Sequence, residues 1–418
     1  MKRMTAAAAG FLITLTASPA GAQSPDLVAN LVRLPAVQAG LAAARATEAR
    51  TIDDQIRFCE VPAPPFMEAA RGEVLRRAFV DLGLQRVRVD RAGNVLGDRP
   101  GAAARPHLVV AAHLDTVFPE GTDVKVRREG TILHGPGIGD DCRGLAELVA
   151  IVRLMRDANV QTPGTITFVA NVGEEGLGDL RGMKTLFGET MKGEIDRFVS
   201  IDSDELSLTT IAVGSHRYRV TFKGPGGHSF ASFGLANPAN AMGRAIAKIA
   251  EIQVPATPRT TFNVGRVGGG TSVNAIPAEA WMEVDLRSSD PAALAALDGK
   301  FQAAVDAAVA DENRRWGTPR GVTAVKELVG DRPAGSVPQD APIVQTAWAV
   351  ASALGESLTL SEGSSDANIP ISLKIPAITI GSGGRGVDVH AVTESFDVTD
   401  AWKGTQNAFL LTIALAQR

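Results

Sequence analysis

Four segments of the chain share one pattern, a short apolar run that ends directly on polar or acidic residues. They are HLVVAAHLD (107–115), TITFVANVGEE (165–175), RFVSIDSDE (197–205) and AITIGSGGRGVDVH (377–390). Continuous apolar character, without the alternation of a half-exposed strand, predicts strands buried on both faces of a parallel sheet. Helical periodicity lies between them. Leu145, Leu148, Val149, Val152 and Met155 recur at spacings of three and four, and DAPIVQTAWAVASALG reads similarly up to Gly355. The alternation predicts an α/β fold, a mainly parallel sheet flanked by helices.

From about 213 to 332 the pattern changes. HRYRVTFKG alternates Tyr218, Val220 and Phe222; an amphipathic helix follows in NPANAMGRAIAKIAEI; TTFNVGRV and AWMEVDLRS have a period of two. A long helix from Asp290 to Trp316 and a last strand, VTAVKELV, complete the order β-α-β-β-α-β, that of a ferredoxin-like α+β sandwich. This predicts an insertion at 213–332 within a catalytic unit formed by 23–212 and 333–418.

The first residues, MKRMTAAAAGFLITLTASPAGAQS, carry a positive end, an apolar stretch and the small residues Ala20-Gly21-Ala22. That pattern is expected of a signal peptide, residues 1–22, cleaved after Ala22, and of a periplasmic or secreted protein. Its apolar run is shorter than the roughly 20 residues that cross a bilayer, so no membrane anchor is expected. A formal net charge of −4 argues against nucleic acid as a partner. The two cysteines, Cys59 and Cys142, could form a disulfide in such a compartment or remain as two buried thiols.

In open α/β sheets ligands bind beyond the carboxyl ends of the strands. The segments place His113 and Asp115, Glu174 and Glu175, Asp202 and His390 at or beyond such ends, and GPGIGDD adds Asp140 and Asp141 on a glycine-rich loop. Imidazoles and carboxylates gathered at one rim repel and lose solvation unless a cation neutralises them. The mixed nitrogen and oxygen set suits Zn²⁺, with Co²⁺ or Mn²⁺ as alternatives.

HLDTV, GPGIGDD, GEEG, SID, GPGGHS, NAIPAEA and the late His390 resemble, in order and over nearly the whole chain, the dinuclear zinc exopeptidase and aminoacylase family. That family includes glutamate carboxypeptidase, peptidase T and acetylornithine deacetylase. The resemblance implies two Zn²⁺ ions, one held by His113 and Asp202, the other by Glu175 and His390, with Asp140 bridging. It implies that Asp115 orients the His113 ring and that Glu174 is the general base toward a metal-activated water. It further implies a homodimer through the insertion, with His228 reaching the neighbouring subunit's site, and substrate contacts from Asn274, Arg287 and Arg332. The implied substrate is a small peptide or an N-acyl amino acid. DDCRG departs from the usual sequence after the bridging acid, and SEGSSDANIP (361–370) lies nearer the peptidase T side, which leaves the substrate open.

The remaining candidates carry ordinary readings. Either Asp140 or Asp141 could bridge; the register from GPGI favours Asp140 and leaves Asp141 to support the turn, while His107, His134 and His216 are structural or solvated. Asp366 is left without a role, and Arg385 either binds substrate or covers a loop. A peptide- or zinc-binding protein without catalysis is the alternative to an enzyme, but it has no use for Glu174 beside the ligands.

Overall fold

The computed structural model describes residues 25–317 and 319–417. The expected signal peptide, 1–22, lies outside the described residues. The main sheet runs, edge to edge, Gln85–Val89, Val95–Arg99, Thr165–Asn171, His107–His113, Arg197–Ile201, Ala377–Ile380, Ser207–Ala212 and Gly335–Ser336, and Thr359–Gly363 also pairs with Ser207–Ala212. The four predicted apolar runs are the central four strands, and their three mutual pairings are all parallel. Both flanks add antiparallel pairings, beside one further parallel pair between Thr359–Gly363 and Ser207–Ala212, so the sheet as a whole is mixed around a parallel centre. The central strands carry the continuous apolar signal because they are covered on both faces; Val95–Arg99 is also buried on both, but its sequence VLGDR includes the buried, arginine-paired Asp98 and carries no such run.

Strand His107–His113 shows why. Leu108, Val110 and Ala112 join one core, with the helices Cys142–Asp157 and Trp402–Leu415, while Val109 and Ala111 join a second core with Met183, Leu186 and Phe198. Successive side chains point to opposite faces, so an apolar residue is needed at every position.

The region expected to be an insertion has its own sheet, ordered Thr260–Gly269, Glu279–Ser288, Gly214–Lys223 and Thr323–Arg332, antiparallel throughout. Helices Pro238–Ala250 and Pro291–Trp316 supply Ala241, Ala245, Leu297, Phe301 and Val305 to a core shared with Tyr218, Val220, Phe222 and Met282. The alternation read along HRYRVTFKG is therefore that of a sheet with one covered face.

A small sheet of Arg385–Val387, Ser395–Asp397, Ile132–His134 and Arg127–Glu129 had no clear sequence signal, since its strands are three residues each. It ties the segment around His390 to the start of the glycine loop. That loop runs into helix Cys142–Asp157, which is buried almost all round.

Charged residues in that helix must therefore find partners. Arg143 donates to Glu48 Oε1 at 2.8 Å, to the Ala401 carbonyl at 2.8 Å and to the Ser382 carbonyl at 3.3 Å. Glu147, one turn on, has neither carboxyl oxygen hydrogen-bonded. Burial pushes its pKa up to about 8. The folded state thus holds Glu147 protonated while the unfolded chain ionises above its ordinary value near 4.5, so this residue's contribution favours folding least at high pH. Glu147→Gln is expected to remove a loss of stability that the wild type shows as pH rises from about 4.5 to 8. Urea unfolding of both proteins across that range measures the difference.

Candidate metal centre

The four parallel strands end on one rim, and the chain leaving each supplies polar groups. His113 closes its strand opposite Asn171, and its main-chain N–H donates to Asp141 Oδ2 at 2.8 Å. Its Nδ1 donates to the Asp115 carbonyl at 3.0 Å, which leaves Nε2 facing Asp140 Oδ1 at 2.9 Å. That second contact is favourable only with another proton on the ring or a cation between the two atoms.

Asp140 is the pivot. Its Oδ1 meets His113, and its Oδ2 lies 2.9 Å from Nε2 of His390, which is also 2.9 Å from Glu175 Oε1. His390 holds a left-handed backbone, φ 69°. Two triads follow, His113–Asp140–Asp202 and Asp140–Glu175–His390, in each of which one ligand atom per residue lies within 4.8 Å of the others. A third set, His113–Glu174–Glu175, meets the same condition.

The titration of these groups shows what the arrangement lacks. Burial pushes Glu175 up to about 7, aided by the charge of Asp140, and pushes Asp202 well above the carboxylate range. Burial opposes charge on His113, yet Asp140, Asp141 and Asp202 raise its pKa well above the imidazole value. Hydrogen bonds to Asp140 and Glu175 raise His390 to about 10. Burial also works to raise Asp140, but His113 and His390 hold it below the usual range. Protons are being recruited to balance buried acids, and divalent cations among two imidazole nitrogens and several carboxylates meet the same need with the donor types that Zn²⁺, Co²⁺ or Mn²⁺ accept.

The neighbouring residues divide the remaining work. Asp141 caps helix Cys142–Asp157 by accepting from the Gly144 N–H at 3.0 Å, and it also holds the His113 main chain, so it supports the turn as expected. Asp115 differs from expectation. Its carbonyl, not its carboxylate, is the close partner of the His113 ring, the carboxylate standing 3.7 Å away. The carboxylate accepts the main-chain N–H groups of Glu174 and Glu175 at 3.0 and 2.8 Å and so fixes the turn carrying both acids.

Arg332 also departs from its expected role as a carboxylate anchor. It is 3 % exposed and donates to Glu174 Oε1 at 3.0 Å, to the Glu174 carbonyl and to Ser364 Oγ at 3.1 Å. Arg287 is held at Asp285 Oδ2, 2.7 Å, and lines the same cleft. Arg217, missed in the sequence, lines it too and donates to the Gly176 carbonyl and to Asp285 Oδ1 at 3.4 Å. A polar residue facing outward on a period-two strand is unremarkable in sequence, so nothing marked Arg217 out.

The cleft, ≈ 300 Å³, is bordered by Asp140, Glu174, Glu175, Asp202, His390, Ser364 and the three arginines. A second hollow of ≈ 270 Å³ shares Asp140, Asp202 and Ser364 with it and is lined by Asp204, Thr209, Ser361, Glu362, Ser365 and Thr379. His228 and Asn274 border neither. Both are exposed on a separate hollow at Gly227–His228 and Ala275–Ile276, where His228 Nδ1 accepts the N–H groups of Phe230 and Ala231 at 3.3 Å. A single protomer therefore does not bring these two residues to the centre.

Cys59 and Cys142 are free, buried thiols in one apolar cluster. Asp366 is buried beneath the centre, accepts from Asn171 Nδ2 at 2.7 Å, and is pushed up to about 8 by burial and then by Glu174. Arg385 is exposed at the start of its short strand.

Comparison with known proteins agrees with this geometry. Residues 109–412 match the family described as Peptidase family M20/M25/M40. The chain is 26% identical over 375 residues to the Bacillus subtilis protein YqjE, a match covering 85% of this chain and 95% of the relative. It is 30% identical over 234 residues to carboxypeptidase G2 of Pseudomonas sp. strain RS-16, covering 52% of this chain and 54% of that enzyme. The fold superposes on a tripeptidase from Staphylococcus aureus with a TM-score of 0.72 at 22% identity, over 88% of this chain and 98% of that one. The chain belongs to peptidase family M20/M25/M40, as a metal-dependent peptidase or amidohydrolase.

Proposed function

We propose that the protein is an exported exopeptidase with two zinc ions that hydrolyses small peptides carrying a free carboxylate. The observation that carries this reading is the Asp140 carboxylate, which presents one oxygen to each of two imidazoles with Glu174 beside them. One cation would be held by His113, Asp140 and Asp202, the other by Asp140, Glu175 and His390. When bound, such a pair polarises a scissile carbonyl and makes water nucleophilic near neutral pH.

The chain's own residues supply the rest. Glu174, buried at the cleft wall, is placed to take a proton from the attacking water and return it to the departing amine. Arg332 grips its side chain and main chain, so the carboxylate keeps one orientation. Arg217 and Arg287 give the cleft cationic walls suited to a substrate carboxylate, since guanidinium forks match carboxylate geometry. The adjoining hollow offers hydroxyls and the acids Asp204 and Glu362, a lining that suits a polar or ammonium-bearing residue better than an aliphatic acyl chain. That lining favours peptidase over N-acyl-amino-acid deacylase activity. His228 of a second subunit would complete the site in a homodimer formed through the region 213–332.

A screen of dipeptides, tripeptides, their amidated forms and N-acetyl amino acids, with Zn²⁺, Co²⁺ or Mn²⁺, tests the reading; release of amino acid from N-acetyl substrates alone would make the protein a deacylase. Glu174→Gln is expected to lower kcat by about 10²- to 10⁴-fold. Elemental analysis of that variant should still find the wild-type metal content. Arg287→Met should raise KM for peptides with a free carboxylate by roughly 10- to 100-fold, the worth of a charged hydrogen bond, and leave amidated peptides unaffected. His228→Ala and Glu174→Gln, each inactive alone, should regain activity when subunits are mixed, because one mixed site then holds both intact residues. No recovery in a verified heterodimer would remove the cross-subunit role.

A further inference from the structure

The glycine-rich loop that carries Asp140 is built around a carboxylate that takes no part in the site described above. The main-chain N–H groups of Gly137, Gly139 and Asp140 converge, and Glu394 fills the space between them. Its Oε2 accepts from Gly137 at 2.8 Å, and its Oε1 accepts from Gly139 at 2.8 Å and Asp140 at 3.2 Å. The Glu394 carbonyl also accepts the Gly135 N–H at 3.0 Å. Converging N–H groups of this kind form an anion-binding nest, and here the anion belongs to the chain itself. The fit is close, because a Cβ on Gly139 would stand 3.3 Å from Glu394 Oε1 and 3.2 Å from the Phe396 ring. With Glu394 only 1 % exposed, solvent cannot replace it on those N–H groups.

The position of Glu394 gives the contact its meaning. It follows His390 by four residues, and the next residues, Ser395–Asp397, pair with Ile132–His134 at the head of the same loop. The loop ligand Asp140 and the remote ligand His390 are thus attached to one another twice, by their own contact at 2.9 Å and through Glu394 behind them. Both attachments are needed to hold a bridging carboxylate, because each of its oxygens must face a different imidazole.

We propose that Glu394 is a positioning residue for the metal centre, holding the Asp140 loop and the His390 segment in the one register that lets Asp140 bridge two cations. The assignment rests on the reading that Asp140 and His390 bind metal. Glu394→Gln keeps the size but presents an NH₂ group to at least one of the three N–H donors. Glu394→Asp keeps the charge and shortens the reach by one methylene.

Apo protein prepared by chelation is titrated with Co²⁺, following the visible absorption of the ion and the heat of binding, in the wild type, Glu394→Gln, Glu394→Asp and the control Glu48→Gln. Glu48 is a comparably buried acid that pairs with Arg143 instead. Urea unfolding of each apo protein separates metal affinity from stability. The expected result is a 10- to 100-fold weaker Co²⁺ affinity for Glu394→Gln with an altered spectrum, in the range found when a partner that orients metal ligands is removed, and a smaller loss for Glu394→Asp. Wild-type affinity and spectrum in Glu394→Gln overturn the proposal, as does an equal loss in Glu48→Gln. So does failure of both Glu394 variants to fold, since the carboxylate would then serve the fold as a whole. Absence of Co²⁺ binding by the wild type would instead remove the metal reading itself.

Discussion

The buried acids around Asp140 are the constraint on which the rest of the structure depends. Ionised carboxylates removed from water are tolerated only beside compensating charge, and Asp140 and Glu175 lean on the imidazoles of His113 and His390, with Asp202 beside them. Arg332 is near, but it is spent on Glu174. The protein therefore holds an electrostatic debt that protons settle poorly and divalent cations settle well. The same arrangement leaves Glu174 on the cleft wall and outside the two triads that share Asp140, a place suited to the proton acceptor of the proposed reaction.

Holding such a cluster together requires rigid support, and the sheet provides it. His113 lies opposite Asn171, and Ile201 opposite Ile380, so four strands finish level and their exits share one rim. Main-chain hydrogen bonds then steer each exit. Asp115 ties down the Glu174–Glu175 turn, Asp141 ties the His113 main chain to the first turn of helix Cys142–Asp157, and Glu394 ties down the glycine loop. Carboxylates outside the two candidate triads thus place those within them, a division of labour that outer-shell groups at metal centres usually carry.

Much of this was legible in the sequence because its causes are local. A strand covered on both faces must be apolar throughout, so the four central strands could be read directly; the rule that ligands gather at strand ends then pointed to His113, Asp115, Glu174, Glu175, Asp202 and His390, the glycine loop added Asp140 and Asp141, and only the family resemblance divided them into ligands and helpers. The flanks were not legible, since Gln85–Val89 and Ser207–Ala212 are partly exposed and the buried Val95–Arg99 breaks its apolar run with Gly97 and Asp98. Nor was the detailed use of side chains. That Asp115 serves the His113 ring with its carbonyl, that Arg332 turns to Glu174, and that Glu394 enters a nest some 250 residues away in sequence depend on where main-chain groups point after folding. Sequence spacing carries no trace of such directions.

The sheet of the region 213–332 meets the candidate centre where its arginines line the cleft. Arg217 and Arg287 stand near one end of adjacent strands, Arg217 opposite Asp285 and Gly330 and Arg287 opposite Ser215, which on its other side lies opposite Arg332; Arg217 also reaches the carbonyl of Gly176. The Asp331 N–H donates to Asp179 Oδ1 at 2.8 Å, and Arg332 clasps Glu174. The turn from Glu174 to Asp179 is therefore gripped at both ends by the strands that also carry the cleft arginines. On the proposed reading, a substrate carboxylate held by those arginines would rest on the same strands that orient Glu174, which would let binding energy from a non-reacting part of the substrate bear on the geometry of the reacting part.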